Sequence, residues 1–188
     1  MREYLLEYNV FDEEEVDRIL PHFTARTFRK KEVIVRGGEL THHVYFILRG
    51  CVRSFLIDYG GKEHTILFGT EGYWVGDLQA FTAGSATSYN YQALEATEVM
   101  SIGKSSWDSL MISEPSFVKY VAMLFRNALI VQQERLVEVF TLPAEQRYER
   151  FIDNRSDLLH RVPQKYIASY IGITPEFLSQ IRKKASRA

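Results

Sequence analysis

The sequence predicts an α+β chain with an N-terminal antiparallel β jelly roll, one long helix and an all-α C-terminal region. Three observations carry that expectation. Short apolar runs separated by glycine turns fill residues 23–102, a heptad-like seam follows Pro115, and two short helical segments meet at Gly172. The 188 residues are 46% hydrophobic and 13% aromatic, enough to bury a sizeable core. No apolar run approaches the ~18 residues needed to cross a bilayer. Met1-Arg2-Glu3-Tyr4 lacks the basic-then-apolar layout of a secretion signal. A soluble, cytoplasmic chain with no membrane partner is expected.

The first helix is set by Asp12 as cap, Glu15 completing a capping box, and Val16, Ile19 and Leu20 as its apolar face before Pro21. Strands are expected over Val33–Val35, Val44–Leu48, Val52–Ile57, Thr65–Phe68, Tyr73–Val75, Tyr89–Leu94 and Glu98–Ile102. Asp58-Tyr59-Gly60-Gly61-Lys62 is a strong hairpin signal between two of them. Many short strands at this spacing point to an antiparallel barrel or jelly roll. After Pro115, Val118, Ala122, Phe125, Leu129, Gln132, Leu136 and Val139 alternate in steps of four and three. That is a coiled-coil seam, favouring a homodimer through a helix over 115–142, although a helix lying on its own barrel gives the same pattern. Leu142-Pro143 ends it, and Ala144–Asn154 is a further helix with Tyr148, Phe151 and Ile152 inward. Residues 1–114, 115–142 and 143–188 are the expected domains: β-roll with N-terminal helix, dimer helix and C-terminal helical domain.

Charge divides the same way. From Leu142 onward stand nine bases (Arg147, Arg150, Arg155, Arg161, Lys165, Arg182, Lys183, Lys184, Arg187) against five acids, whereas the preceding residues carry 14 bases and 19 acids. The formal charge of −1 therefore hides a basic C-terminal quarter on an acidic body, which fits a nucleic-acid module.

Gln164 to Lys184 reads QKYIASYIGITPEFLSQIRKK. Ile167, Ala168, Ile171, Ile173, Leu178 and Ile181 fall where a helix-turn-helix needs apolar or small residues, and Gly172 suits the left-handed turn. Thr174 is a helix cap and Pro175 a first helical residue, leaving backbone N–H groups to meet a DNA phosphate. Glu176, Gln180 and Lys183 share the outer face, flanked by Pro175 and Ser179. Glutamate can accept from cytosine N4 and glutamine can pair with adenine. Lys165, Arg182 and Lys184 are expected on phosphates, and Phe177 on a thymine methyl.

These motifs in this order make the chain similar to the catabolite-activator/FNR (CRP/FNR) family of bacterial transcription regulators. Ile34-Val35-Arg36-Gly37-Gly38, Val44-Tyr45-Phe46-Ile47-Leu48-Arg49-Gly50 and Gly60-Gly61-Lys62-Glu63 look like the family's first strands and turns, and Gly76-Asp77-Leu78 like its Gly-Glu-Leu. The resemblance implies a cyclic-nucleotide-binding-like jelly roll, a dimer helix, a helix-turn-helix on double-stranded DNA, and RNA polymerase as a partner. It also implies an effector pocket lined by Gly76, Asp77, Leu78, Thr87 and Ser88, with Gln132 and Gln133 from the long helix. The effector would reorient the helical domain about Leu142-Pro143.

Two departures stand out. The family's phosphate-clamping arginine is Thr87 here, and Leu78 to Tyr91 contain no Arg or Lys. An anionic cyclic phosphate lacks its bidentate partner, so no cofactor is expected to be required and cyclic AMP is not the expected effector. The C-terminal domain is also expected to lack a clear wing after its second helix.

Rival readings are a constitutive DNA-binding dimer with no effector, and a cupin-like barrel enzyme. The enzyme needs convergent metal ligands, but His42 and His43 would face opposite ways on a strand and His64 beside Glu63 has the same fault. The single cysteine, Cys51, excludes an internal disulfide and a four-thiolate cluster. No catalytic or metal-binding set is expected.

Overall fold

The capping box forms: the Asp12 carboxylate accepts from the Glu15 amide, and the Glu15 carboxylate accepts from the Asp12 amide. It opens α2 (Glu13–Ile19), which follows a short α1 (Arg2–Glu7). The computed structural model describes residues 1–185, so Arg187 lies outside the described residues. Eight strands follow: β1 (Thr24–Phe28), β2 (Val33–Val35), β3 (His43–Arg49), β4 (Val52–Ile57), β5 (Glu63–Gly69), β6 (Trp74–Val75), β7 (Asn90–Ala93) and β8 (Thr97–Gly103). They form two four-stranded antiparallel sheets, ordered β1-β8-β3-β6 and β2-β7-β4-β5. The expected jelly roll is what the chain builds, because each strand is short and ends at a turn.

Five further helices are α4 (Lys104–Ser113), α5 (Pro115–Thr141), α6 (Ala144–Arg155), α7 (Gln164–Ile171) and α8 (Pro175–Ala185), with α3 (Leu78–Ala83) between β6 and β7. Helical character thus begins at Lys104, ahead of Pro115. Trp107 and Leu110, one turn apart, are buried and tie α4 to the core. The helix α3 was not legible in the strand pattern. Its start rests on Asp77, whose carboxylate accepts from the Ala80 amide.

The chain divides into two compact units, Met1–Ser54 with Phe68–Ala128, and Phe55–Leu67 with Leu129–Ala188. The first holds an aromatic-rich core in which Leu5, Val16, Ile19, Phe81, Trp107, Phe117 and Tyr120 pack together. Trp107 meets Trp74, Phe81 and Phe117 edge-on, and the Trp74 indole donates to the Tyr120 hydroxyl at 2.9 Å. Burial pushes the Tyr120 phenol well above its ordinary range, the indole bond opposing this only in part. Gly76, at φ +148°, sits where any Cβ would come within 2.8 Å of Val44. The second unit buries Tyr148, Phe151, Leu158, Val162, Ile167, Ala168, Ile171, Leu178 and Ile181. No described helix is long and apolar enough to cross a membrane.

Candidate nucleic-acid interface and effector site

Within the second unit, α7 and α8 meet through a turn at Gly172, whose φ is +77°. Its amide donates to Ser169 O, and the Ile173 amide to Ala168 O at 2.9 Å, closing the end of α7. Ala168 is fully buried beneath the crossing, where Leu178 and Ile181 of α8 also turn inward. Thr174 caps α8: its hydroxyl accepts from the Phe177 amide at 3.2 Å. The pattern of apolar and small residues is thus the pattern of inward-facing ones.

The predicted reading residues face the other way. Thr174, Pro175, Glu176, Ser179, Gln180, Arg182, Lys183 and Lys184 are all exposed. The Ser179 hydroxyl donates back to Pro175 O at 3.0 Å, so its proton is committed to its own helix. Phe177 leaves about a third of its surface in solvent beside Glu176 and Gln180, at 36% exposure. Lys165, on α7, is exposed with its ammonium 4.8 Å from the Tyr166 ring centre. Not every C-terminal base is available to a ligand. The Arg147 guanidinium donates to Ile171 O at 3.0 Å and to Leu142 O at 2.9 Å, placing a cation against the ends of α7 and α5. Arg155 pairs with Asp157 at 3.3 Å, and Arg150 approaches Glu138 at 4.0 Å.

The predicted seam is a real face of α5. Val118, Ala122, Phe125, Leu129, Gln132, Leu136 and Val139 are all exposed, and Phe140 extends the strip. The opposite side of the helix carries Phe117, Tyr120 and Val121 into the core of the first unit. Exposed Leu and Phe in a continuous row leave apolar area for a partner to cover.

In the first unit, the structure brings Asp77 and Thr87 together. The Thr87 hydroxyl donates to the Asp77 carboxylate at 2.7 Å and accepts from the Tyr89 amide at 3.0 Å. The Thr87 amide donates to Glu39 O at 3.0 Å, and its carbonyl accepts from the Gly38 amide at 2.7 Å. Thr87 is 2% exposed, and each of its polar atoms is answered from within the β-roll. Nearby Tyr91 is buried. Burial first, and the Asp77 charge second, raise its phenol above the ordinary tyrosine range. The position expected to clamp a phosphate thus holds a threonine hydroxyl bonded to the Asp77 carboxylate. Ser88 is exposed, while Gly76 and Leu78 flank Asp77. Gln132 and Gln133 are exposed and belong to the second unit.

One residue the sequence reading passed over is Arg135. Its guanidinium donates to Ile66 O and, at 2.8 Å, to Tyr170 O, and lies 4.0 Å over the Tyr170 ring. Burial pulls its pKa below the ordinary arginine value. Arginine beside a heptad seam reads as a solvated flank, so its partners, 35 and 69 residues away, had no sequence signal. The His43 ring lies 3.2 Å from the Arg26 guanidinium, and the His64 ring bonds the Asp58 carboxylate at 2.7 Å.

The family described as "Cyclic nucleotide-binding domain" matches residues 25–114. The chain is 25% identical over 179 residues to the anaerobic regulatory protein of Haemophilus influenzae, covering 89% of this chain and 68% of that one. It is 22% identical over 174 residues to the cAMP-activated global transcriptional regulator CRP of Salmonella typhimurium, covering 87% and 83%. Among solved structures it is similar to FixK2 from Bradyrhizobium japonicum, with a TM-score of 0.77 at 19% identity, covering 88% and 85%. The c-di-GMP-responsive regulator CLP of Xanthomonas campestris gives a TM-score of 0.78 at 16% identity, covering 94% and 92%. Those two likenesses concern the fold.

Proposed function

We propose that the chain is a DNA-binding transcription regulator of the CRP/FNR kind that works as a homodimer paired along α5; the cyclic nucleotide-binding match and the regulators it resembles support this reading. The observation that carries this is the exposed seam from Val118 to Val139, seven positions in four-and-three steps on one helix. A second copy supplies a matching seam by twofold symmetry, and the two α8 helices then enter successive major grooves about one turn apart. Glu176 and Gln180 read base edges there, Lys183 supports them, and Lys165, Arg182 and Lys184 hold phosphates. The setting is the cytoplasm and the further partner RNA polymerase, as for a transcription regulator, with no catalytic step in its action.

The β-roll works without a cyclic nucleotide. The Salmonella relative is described as cAMP-activated and the Xanthomonas neighbour as c-di-GMP-responsive, and both of those ligands present phosphate anions. Here Thr87 and Asp77 are bonded to each other where such an anion needs a cation. DNA binding is therefore constitutive toward cyclic nucleotides, and any effector of this β-roll is not a phosphate.

Gel shift on genomic fragments tests the core of this reading. The purified protein should select a subset of fragments at moderate salt, with affinity unchanged by millimolar cyclic AMP or c-di-GMP. Equal retardation of every fragment would reject sequence-specific recognition. A nucleotide-dependent shift would reject the constitutive β-roll.

A further inference from the structure

We propose that Arg135 is a positioning residue for DNA recognition: it fixes the direction of the helix-turn-helix against the dimer seam, and so sets the half-site spacing the dimer reads. This rests on the dimeric DNA-binding function proposed above. Arg135 and its partners lie wholly inside the second unit, which contains the β4–β5 hairpin tip, the second half of α5, and the helices α6 to α8.

Arg135 precedes Leu136 of the exposed seam by one residue, about 100° round the helix, so it leaves the side of α5 that a partner would cover. From there one guanidinium reaches two other segments. It donates to Ile66 O and more distantly to Thr65 O on the hairpin, and to Tyr170 O on α7. Its plane also lies against the Tyr170 ring, which in turn meets Phe151 of α6 at 5.7 Å between centres. The next residue of α7 completes the join. The Ser169 hydroxyl accepts from the Thr65 amide at 2.9 Å and donates to Glu63 O at 3.1 Å.

Hairpin, dimer helix and first helix of the DNA-reading pair are therefore tied at one point. The Arg135 guanidinium bonds backbone carbonyls, which cannot swing away as carboxylate side chains do. A planar, forked donor suits three carbonyls and an aromatic face at once, and a lysine ammonium does not. Further along, Arg147 holds the end of α7 to the end of α5 through Ile171 O and Leu142 O. The helix α8 follows α7 rigidly, because Ala168, Ile171, Leu178 and Ile181 are buried between them. Fixing α7 at Arg135 thus fixes where α8 points relative to Leu129 and Leu136.

The test separates direction from mere stability. Two copies of a half-site, chosen from random DNA by the wild-type protein, are placed at the selected spacing and at one or two base pairs more or fewer. Binding of the full chain is read by fluorescence anisotropy. The wild type should prefer its own spacing over its neighbours by about tenfold, and Arg135→Lys should reduce that ratio below about threefold. Sequence preference within each half-site should not change. Ser169→Ala is the second variant, losing one donor and one acceptor of the same join, and should broaden spacing tolerance in the same sense but less. If Arg135→Lys does not fold by circular dichroism, Ser169→Ala decides alone. Loss of affinity by one common factor at every spacing, with the optimum as sharp as before, would overturn the inference and leave dimeric recognition intact. A wild-type protein that is monomeric or selects no DNA would overturn the underlying reading and this inference with it.

Discussion

Around Thr87 in the first unit, amide, carbonyl and hydroxyl all find partners on Gly38, Glu39, Asp77 and Tyr89. Along α8 in the second unit, Glu176, Gln180 and Lys183 stand outward while Leu178 and Ile181 are buried. Both regions occupy places where the resemblance to CRP/FNR regulators leads one to expect a ligand. One is closed by its own hydrogen bonds, and the other keeps an outward polar face. The difference teaches that a β-roll held by its hydrophobic core can spend the polar groups of a loop on one another, while α8 keeps its polar side chains outward. The outer side chains of α8 contribute little to the core, so the packing leaves their chemistry open.

The largest break to this contrast is expected at the seam. Leu129→Glu with Leu136→Glu removes two leucines from the dimer face, about 3–6 kcal/mol of association, so the dimer dissociation constant should rise more than about 100-fold. Because both leucines are exposed in a single chain, circular dichroism should not change. Sedimentation would show monomer, and DNA binding would fall with it. An unchanged dimer would remove α5 as the interface.

Thr87→Val tests the closed region. It leaves an Asp77 oxygen and the Tyr89 amide without their buried partner, which should cost about 1–3 kcal/mol in urea denaturation. Neither this variant nor the wild type is expected to bind a cyclic nucleotide by calorimetry. A variant as stable as the wild type would show that the hydroxyl bonds do not hold the loop.

At the open region, Gln180→Ala should cost about 1–3 kcal/mol on the preferred site and relax selectivity at one base position. Lys184→Ala should weaken all sequences alike and lower the slope of log affinity against log salt by about 1. Equal effects of the two variants on every sequence would cancel the division of roles.

The smallest effect near neutrality concerns Tyr120. Its folded-state phenol titrates above the unfolded value, so the stability it contributes is complete below about pH 10 and is lost as pH rises through the higher folded value. Urea midpoints should be flat from neutral pH to about 9 and decline above 10. Tyr120→Phe should flatten that decline. Identical alkaline slopes in the two proteins would sink the assignment.

The legible parts of this molecule share a physical reason. The capping box at Asp12, the hairpin at Asp58–Lys62 and the cap at Thr174 are made by residues within four positions of one another, so local pattern reports them directly. The inward and outward faces of α5 and α8 were likewise written in the spacing of their side chains. The two helices α3 and α4 were missed because neither is long enough to display several turns of periodicity: α3 has six residues. The candidate site was half visible. Thr87 was noticed for the arginine it replaces, while its bond to Asp77 depends on folding the intervening α3 back against the sheet.

By itself, the sequence determined that this chain makes a jelly roll, a seam-bearing helix and two short helices joined at Gly172, since each is specified by local propensity and by the period of apolar residues. Only the tertiary structure decided that the Thr87 hydroxyl bonds Asp77 and Tyr89, and that Arg135 joins Ile66 to Tyr170. Those facts hang on carbonyls and hydroxyls distant in the chain. A backbone carbonyl is the same group in every residue, so no choice of side chain announces which one a guanidinium will find.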